Sequence, residues 1–252
     1  MRRLAALLAW GWLALPALAQ DEAVVAGLSQ DAISITTNFD GSELLVFGAV
    51  KRSSAPPAEP LQVIITVAGP SVPVTVRRKD RRLGIWVNTD AVEVDLAPSF
   101  YAVATSADWG DTLREIEDLR HSVSIARAIR AVGTGMANAD TFIEALIRIR
   151  EDAGLYQTLI GAVEVSEETL FQTRVVLPAN LTEGNYTVRF FLTREGRVIA
   201  SEEREIGVRK VGLERFLFVL AHDQPLIYGI LSIVIAVTAG WGASAAFRYV
   251  RG

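Results

Sequence analysis

The chain has 252 residues, a formal net charge of −4 and no cysteine. That excludes a disulfide framework, a thiol nucleophile, a thiolate metal site and a lipid-modified cysteine. Two histidines leave little material for acid–base or metal chemistry near neutral pH, so no cofactor and no metal are expected, and the mild negative charge gives no nucleic-acid signal.

Met1-Arg2-Arg3 is a short positive region, and Leu4 to Leu15 is an apolar run too short to span a bilayer. Pro16 breaks that run, and Ala17-Leu18-Ala19 is a small-x-small cleavage site. Residues 1–19 therefore read as a signal peptide, which places the mature domain outside the cytoplasm.

Residues 20–106 read as the first β part of an ectodomain. Ala32–Asn38 alternates, and Glu43–Val50 is apolar on both faces, as expected of a central strand. Lys51–Pro60 is a Pro/Ser loop. Leu61, Val63, Ile65 and Val67 share one face, Gly69-Pro70 turns the chain, and Val72, Val74 and Val76 continue the alternation. Arg77, Arg78, Lys79, Arg81 and Arg82 form a dense basic patch at what reads as a hairpin tip, suited to anionic headgroups, an anionic partner or plain solvent. Gly84–Asn88, Ala91–Leu96 and Phe100–Thr105 are shorter candidate strands.

Over residues 107–155 the period changes. Thr112 and Glu115 have capping-box spacing, and Leu113, Ile116, Leu119 and Val123 come at helical intervals. Gly133-Thr134-Gly135 breaks the pattern. Asp140 begins a second helix with Phe142, Ile143, Leu146 and Ile149 on one side, and Gly154 stops it. The expectation is a helical hairpin inserted into a β domain.

Residues 156–210 return to β. Phe171, Thr173, Val175 and Leu177 alternate. Pro178 to Glu183 forms a corner, and Gly184 and Tyr186 open a strand carrying Val188, Phe190 and Leu192. A glycine two residues before a tyrosine at such a corner suits a side chain that bonds back to the corner backbone, as in immunoglobulin-like sandwiches. The fold expected is thus mainly β: one immunoglobulin-like sandwich split by the helical hairpin, favoured over two separate β domains.

Residues 211–224 have Leu213, Phe216, Leu217 and Leu220 at i, i+3, i+4 and i+7, which reads as a juxtamembrane amphipathic helix. Residues 225–247 read as a transmembrane helix. Pro225 precedes Leu226–Phe247, a run without charge that would form roughly 33 Å of helix, enough to cross a hydrocarbon core. Arg248 and Arg251 in residues 248–252 suit a cytoplasmic tail. The span carries two rows of small residues, Ala236/Gly240/Ser244 and Thr238/Gly242/Ala246, which allow close approach of another helix; a homodimer and a multi-pass partner both fit.

No H-E-x-x-H, G-x-S-x-G, S-x-x-K or P-loop pattern is present, and Gly133-Thr134-Gly135 lies between helices, where a dinucleotide fingerprint would not. No enzymatic activity is expected. Glu214, His222 and Asp223 are a thin set for a metal, and His121 reads as a surface or structural residue.

One resemblance rests on a series of short segments: Pro98-Ser99-Phe100-Tyr101-Ala102-Val103-Ala104, Gly154-Leu155-Tyr156, Leu170-Phe171, Leu177-Pro178, Gly184-Asn185-Tyr186-Thr187 and Val211-Gly212-Leu213-Glu214-Arg215. It continues in Pro225-Leu226-Ile227-Tyr228-Gly229, Gly240-Trp241 and Phe247-Arg248. The chain resembles the "putative transmembrane protein" family of alphaproteobacteria over nearly its whole mature length. The resemblance implies a periplasmic domain on one C-terminal anchor in the inner membrane. It further implies a frequent genomic association with sulfite-exporter-like permeases. It carries no activity and no site residue. The function expected is a non-enzymatic, membrane-anchored periplasmic interaction module; the alternative is a periplasmic protein that binds or senses an oxyanion solute.

Overall fold

In the computed structural model, residues 22–36, 39–53, 55–130, 139–211 and 213–251 are described. The expected signal peptide and the Gly133-Thr134-Gly135 break lie outside them. Twelve strands are present among these residues. β1 (Ala23–Leu28), β2 (Ala32–Ile35), β3 (Ser42–Lys51), β4 (Gln62–Ala68), β5 (Ser71–Arg82), β6 (Ile85–Pro98) and β7 (Tyr101–Thr105) precede the helical stretch. β8 (Tyr156–Leu159), β9 (Glu164–Ser166), β10 (Leu170–Leu177), β11 (Gly184–Arg194) and β12 (Arg197–Lys210) come after it.

The strands form a four-stranded sheet in the order β1-β3-β10-β9, a six-stranded sheet in the order β2-β12-β11-β4-β7-β8, and a two-stranded ribbon of β5 and β6. Strands from before and after the helices are interleaved: β3 pairs with β10, and β4 lies between β11 and β7. Alternation explains how the first sheet buries one face. Leu44, Val46 and Val50 of β3 and Phe171, Val175 and Leu177 of β10 point inward. Phe171 meets Phe190 of the second sheet at a ring-centroid distance of 6.1 Å. Gly48, directly opposite Phe171, makes room for that ring: a Cβ there would come within 2.4 Å of it.

The six-stranded sheet is covered on both faces, and its central strand shows it. Val63, Ile65 and Val67 pair across to Leu192, Phe190 and Val188 and face the first sheet. Ile64 and Thr66, on the other side of β4, are equally buried. Their cover is α1 (Trp109–Thr112), α2 (Glu115–His121), α3 (Ile125–Ala128) and the longer α4 (Ala139–Asp152). The expected first helix is therefore three short pieces. Leu113 and Val123 are buried, but Ile116 and Leu119 are 59% and 55% exposed, while Glu117 and Asp118 are buried in their place. Thr112 is no cap either; its hydroxyl donates to the Asp108 carbonyl, and α2 starts after Arg114. α4 closes at Gly154 (φ +68), where the Leu155 N–H donates to the Arg150 carbonyl and the Gly154 N–H to that of Glu151, a Schellman arrangement.

Two helices end the chain. α5 (Leu213–Asp223) and α6 (Pro225–Arg251) meet at Gln224. Pro225 is the first residue of α6, where its missing N–H costs nothing. α6 is long and apolar enough over Pro225–Ser244 to cross a membrane.

Candidate functional site

The basic residues lie along a strand instead of in a turn. β5 and β6 are paired from Ser71–Pro98 to Arg82–Ile85, so Arg77, Arg78, Lys79, Arg81 and Arg82 all belong to the body of β5 and all are exposed. Arg78 pairs with Asp90 across the ribbon, and its guanidinium lies 5.7 Å from the Phe142 ring centroid on α4. Between ribbon and α4 runs a groove of about 360 Å³, lined by Val76, Arg77, Arg78, Phe142, Glu144 and Arg148 among others.

The ribbon is the continuation of the β4–β7 pair. Ala68 pairs with Tyr101, the Gly69 N–H donates to the Phe100 carbonyl, the Ser99 N–H donates to the Pro70 carbonyl, and Ser71 pairs with Pro98. This junction sits at one end of the six-stranded sheet. A Cβ on Gly184 would meet the Pro70 ring at 2.8 Å, and Gly184 pairs with Val208, close to where the chain leaves for α5. Ribbon root and the segment that leads to α5 thus depart from the same end. The turn of the ribbon, Leu83-Gly84, is flanked by Ile85 and Trp86, and Leu83, Ile85 and Trp86 are exposed apolar side chains. The sequence places Ile85 and Trp86 in a short candidate strand without a role; the available signal was a tryptophan in a basic hairpin.

Gly184 and Tyr186 hold the corner. The Tyr186 ring is 1% exposed, and its hydroxyl donates to the Thr182 carbonyl at 2.8 Å. Burial pushes the hydroxyl pKa above its ordinary value. The ring lies 6.1 Å from that of Phe100.

Two buried polar clusters went unseen in the sequence. Arg189 of β11 donates to the carbonyls of His121 and Ser122, to the Tyr101 hydroxyl at 3.2 Å and to the Thr66 hydroxyl. It thereby satisfies carbonyls at the end of α2, where Ser122 is left-handed (φ +50). One Asp118 carboxylate oxygen accepts from the Val123 and Ser124 N–H groups at 3.0 and 2.7 Å. Burial raises the Tyr101 hydroxyl pKa, with Arg189 partly offsetting it; burial likewise pushes Tyr156 up to about 12. The second cluster joins Glu22, Arg52 and Arg194 at the opposite end of β11. His121 packs edge-on to Phe191, a structural position.

On α6, Ala236, Gly240 and Ser244 and, in the second row, Thr238 and Gly242 are exposed; the Ala246 side chain lies outside the described ones. A Cβ on Gly240 or Gly242 would meet nothing within 4 Å. On α5, His222 stacks on Phe218 with centroids 4.1 Å apart, and its Nδ1 lies 2.9 Å from the Phe218 carbonyl. Glu214 falls outside the described side chains, and no cluster of potential metal ligands occurs among the described residues.

A family profile described as "Putative transmembrane protein (Alph_Pro_TM)" matches residues 23–249. No curated protein matches by sequence. Among solved structures, the chain is similar to Spo0M, a sporulation control protein from Bacillus subtilis, at 13% identity and a TM-score of 0.27, over 79% of this chain and 54% of that one. It is also similar to BslA, a bacterial hydrophobin, at 11% identity and a TM-score of 0.20, over 77% and 97%. The chain spans about half the length of Spo0M.

Proposed function

The chain belongs to the transmembrane family Alph_Pro_TM, and from that premise we propose that it is a non-enzymatic interaction module that serves a second membrane protein. In this reading the β domain faces the periplasm and residues 248–252 face the cytoplasm of a bacterial inner membrane. The partner is a multi-pass protein such as a sulfite-exporter-like permease, or a second copy of the chain.

The observation that supports it is the open glycine face of α6. Among the described residues nothing approaches Gly240 or Gly242 closely enough to require the missing side chain. In lipid, an unpartnered helix gains nothing from glycine, whereas a packed pair gains close backbone contact. Gly240→Leu keeps the span apolar but pushes a neighbouring backbone away. The expected result is loss of a co-purifying partner or dimer in mild detergent, with wild-type abundance. Ile235→Leu, which leaves both rows intact, should change nothing. Retention of every interaction by Gly240→Leu would sink the reading. Orientation is tested separately: a reporter after Gly252 should be cytoplasmic and one within Lys51–Pro60 periplasmic.

A second reading, oxyanion binding, draws on the groove where Arg77, Arg78 and Arg148 converge. Glu144 lines the same groove and Asp90 already holds Arg78, so the local charge available to an anion is reduced. Calorimetric titration with sulfate, in parent and Arg77→Gln, separates the two readings.

A further inference from the structure

We propose that the turn of the β5–β6 ribbon is a second membrane contact, in which Leu83, Ile85 and Trp86 enter the interface of the anionic bilayer that holds α6 while the flanking cations meet its phosphates. This inference stands on different residues from the α6 packing face.

Three observations carry it. The first is exposure: Leu83 is fully exposed, Ile85 64% and Trp86 69%. All three stand at the end of a ribbon roughly 40 Å long at about 3.3 Å per residue, Leu83 in the turn and Ile85 and Trp86 on opposite faces beside it. The second is the turn itself. Leu83 (φ +50) and Gly84 (φ +85) form a two-residue loop with both central residues left-handed. Asparagine or aspartate before glycine suits that conformation, and a leucine is disfavoured there. An apolar side chain thus stands at the apex against the backbone's preference.

The third is the arrangement of charge. Ile85 lies directly across from Arg82, and Trp86 across from Arg81, so each apolar side chain shares its ribbon face with a guanidinium. From Arg77 to Asp90 five cations face two carboxylates, Asp80 and Asp90. Arg78 pairs with Asp90, and Arg82 lies 3.9 Å from Asp80. Arg77, Lys79 and Arg81 have no ion pair among the described residues. A tryptophan and two aliphatic groups beneath a ring of long cationic side chains match the layering of an anionic interface: apolar groups below, cations at phosphate level. The bilayer in question is the one holding α6 because the ribbon leaves the sheet from the end that leads to α5.

The chain's lack of cysteine makes the test direct. Ile85→Cys in the full-length protein is labelled with an environment-sensitive fluorophore and reconstituted into vesicles of phosphatidylcholine alone or mixed with phosphatidylglycerol. Leu83→Cys is a second labelling position should the first variant fold poorly, and Val176→Cys on the exposed face of the first sheet is the control. The expected result is a blue shift, and quenching by shallow nitroxide lipids, in the anionic vesicles only. It should fade as salt rises from about 0.1 to about 1 M, which shortens the screening length from about 10 to about 3 Å. Each neutralised cation among Arg77, Lys79 and Arg81 should lower the inserted-to-free ratio about fivefold. A water-exposed label in anionic vesicles overturns the proposal. A blue shift equal in both vesicle types and in detergent also overturns it, and points to a protein contact. Quenching only by nitroxide lipids in separately added vesicles overturns the assignment to the bilayer of α6.

Discussion

Both carboxylate oxygens of Glu22 are taken by Arg194: Nη2 lies 2.9 Å from Oε1 and Nε 3.1 Å from Oε2. The pair joins the residue before β1 to the end of β11. Arg52 donates to the same carboxylate and to the Glu168 carbonyl, and Arg194 also donates to the Glu59 carbonyl. All three charged side chains are nearly inaccessible, so the pair works only as a set.

Acid should loosen this set first. Burial alone would raise the Glu22 pKa, but the guanidiniums of Arg194 and Arg52 outweigh it and hold the carboxyl below its ordinary value. The unfolded chain therefore binds the proton more readily than the folded one. The stabilisation is complete above the ordinary glutamate range, about 4.3, and is lost as pH falls through the lower folded value. Glu22→Gln should cost about 1.5–3 kcal/mol at pH 7 and flatten the acid limb of the stability profile. A melting series from pH 7 down to pH 3 on parent and variant reads both effects; an unchanged acid limb would refute the assignment.

Tyr186→Phe removes one part-buried hydrogen bond, to the Thr182 carbonyl. The ring stays and its packing on Phe100 is kept, so the loss should be about 0.5–1.5 kcal/mol. Chemical denaturation measures it. No change in midpoint would mean that the corner is held by packing alone.

Gly48→Ala should destabilise more than its size suggests. The new methyl would sit 2.4 Å from the Phe171 ring and 2.9 Å from the Val25 carbonyl, in the seam between the sheets. Overpacking of this kind costs about 1–3 kcal/mol. Gly207→Ala on β12, where a Cβ meets nothing within 4 Å, is the matched control and should be close to neutral. Equal midpoints for the two variants would contradict the close packing of the Phe171 ring over Gly48.

Leu83→Asn should stabilise the protein in detergent by about 1 kcal/mol, because asparagine accepts the left-handed backbone that leucine resists. A thermal melt tests this directly. A lower midpoint would show that the apex leucine contributes contacts within the chain.

Local periodicity already contained the membrane helix, most of the strands and the Tyr186 corner. A charge-free run from Leu226 to Phe247, alternation at Phe171–Leu177 and a glycine before a tyrosine at a corner are properties of neighbouring residues, and neighbours are what a sequence displays. The tertiary structure decided what depends on residues far apart. Leu113, Ile116, Leu119 and Val123 have helical spacing, but no single helix forms. Asp118 captures the Val123 and Ser124 N–H groups, and Arg189, more than sixty residues away, captures the carbonyls of His121 and Ser122. These bonds hold the backbone in a tight turn that turns Ile116 and Leu119 to solvent. The same holds for Glu22 and for the ribbon, whose pairing extends the basic residues along a strand and leaves Leu83, Ile85 and Trp86 at its end. Hydrogen-bond partners are chosen by proximity in space, and spacing along the chain constrains that proximity only within a turn or two of helix or a few residues of strand.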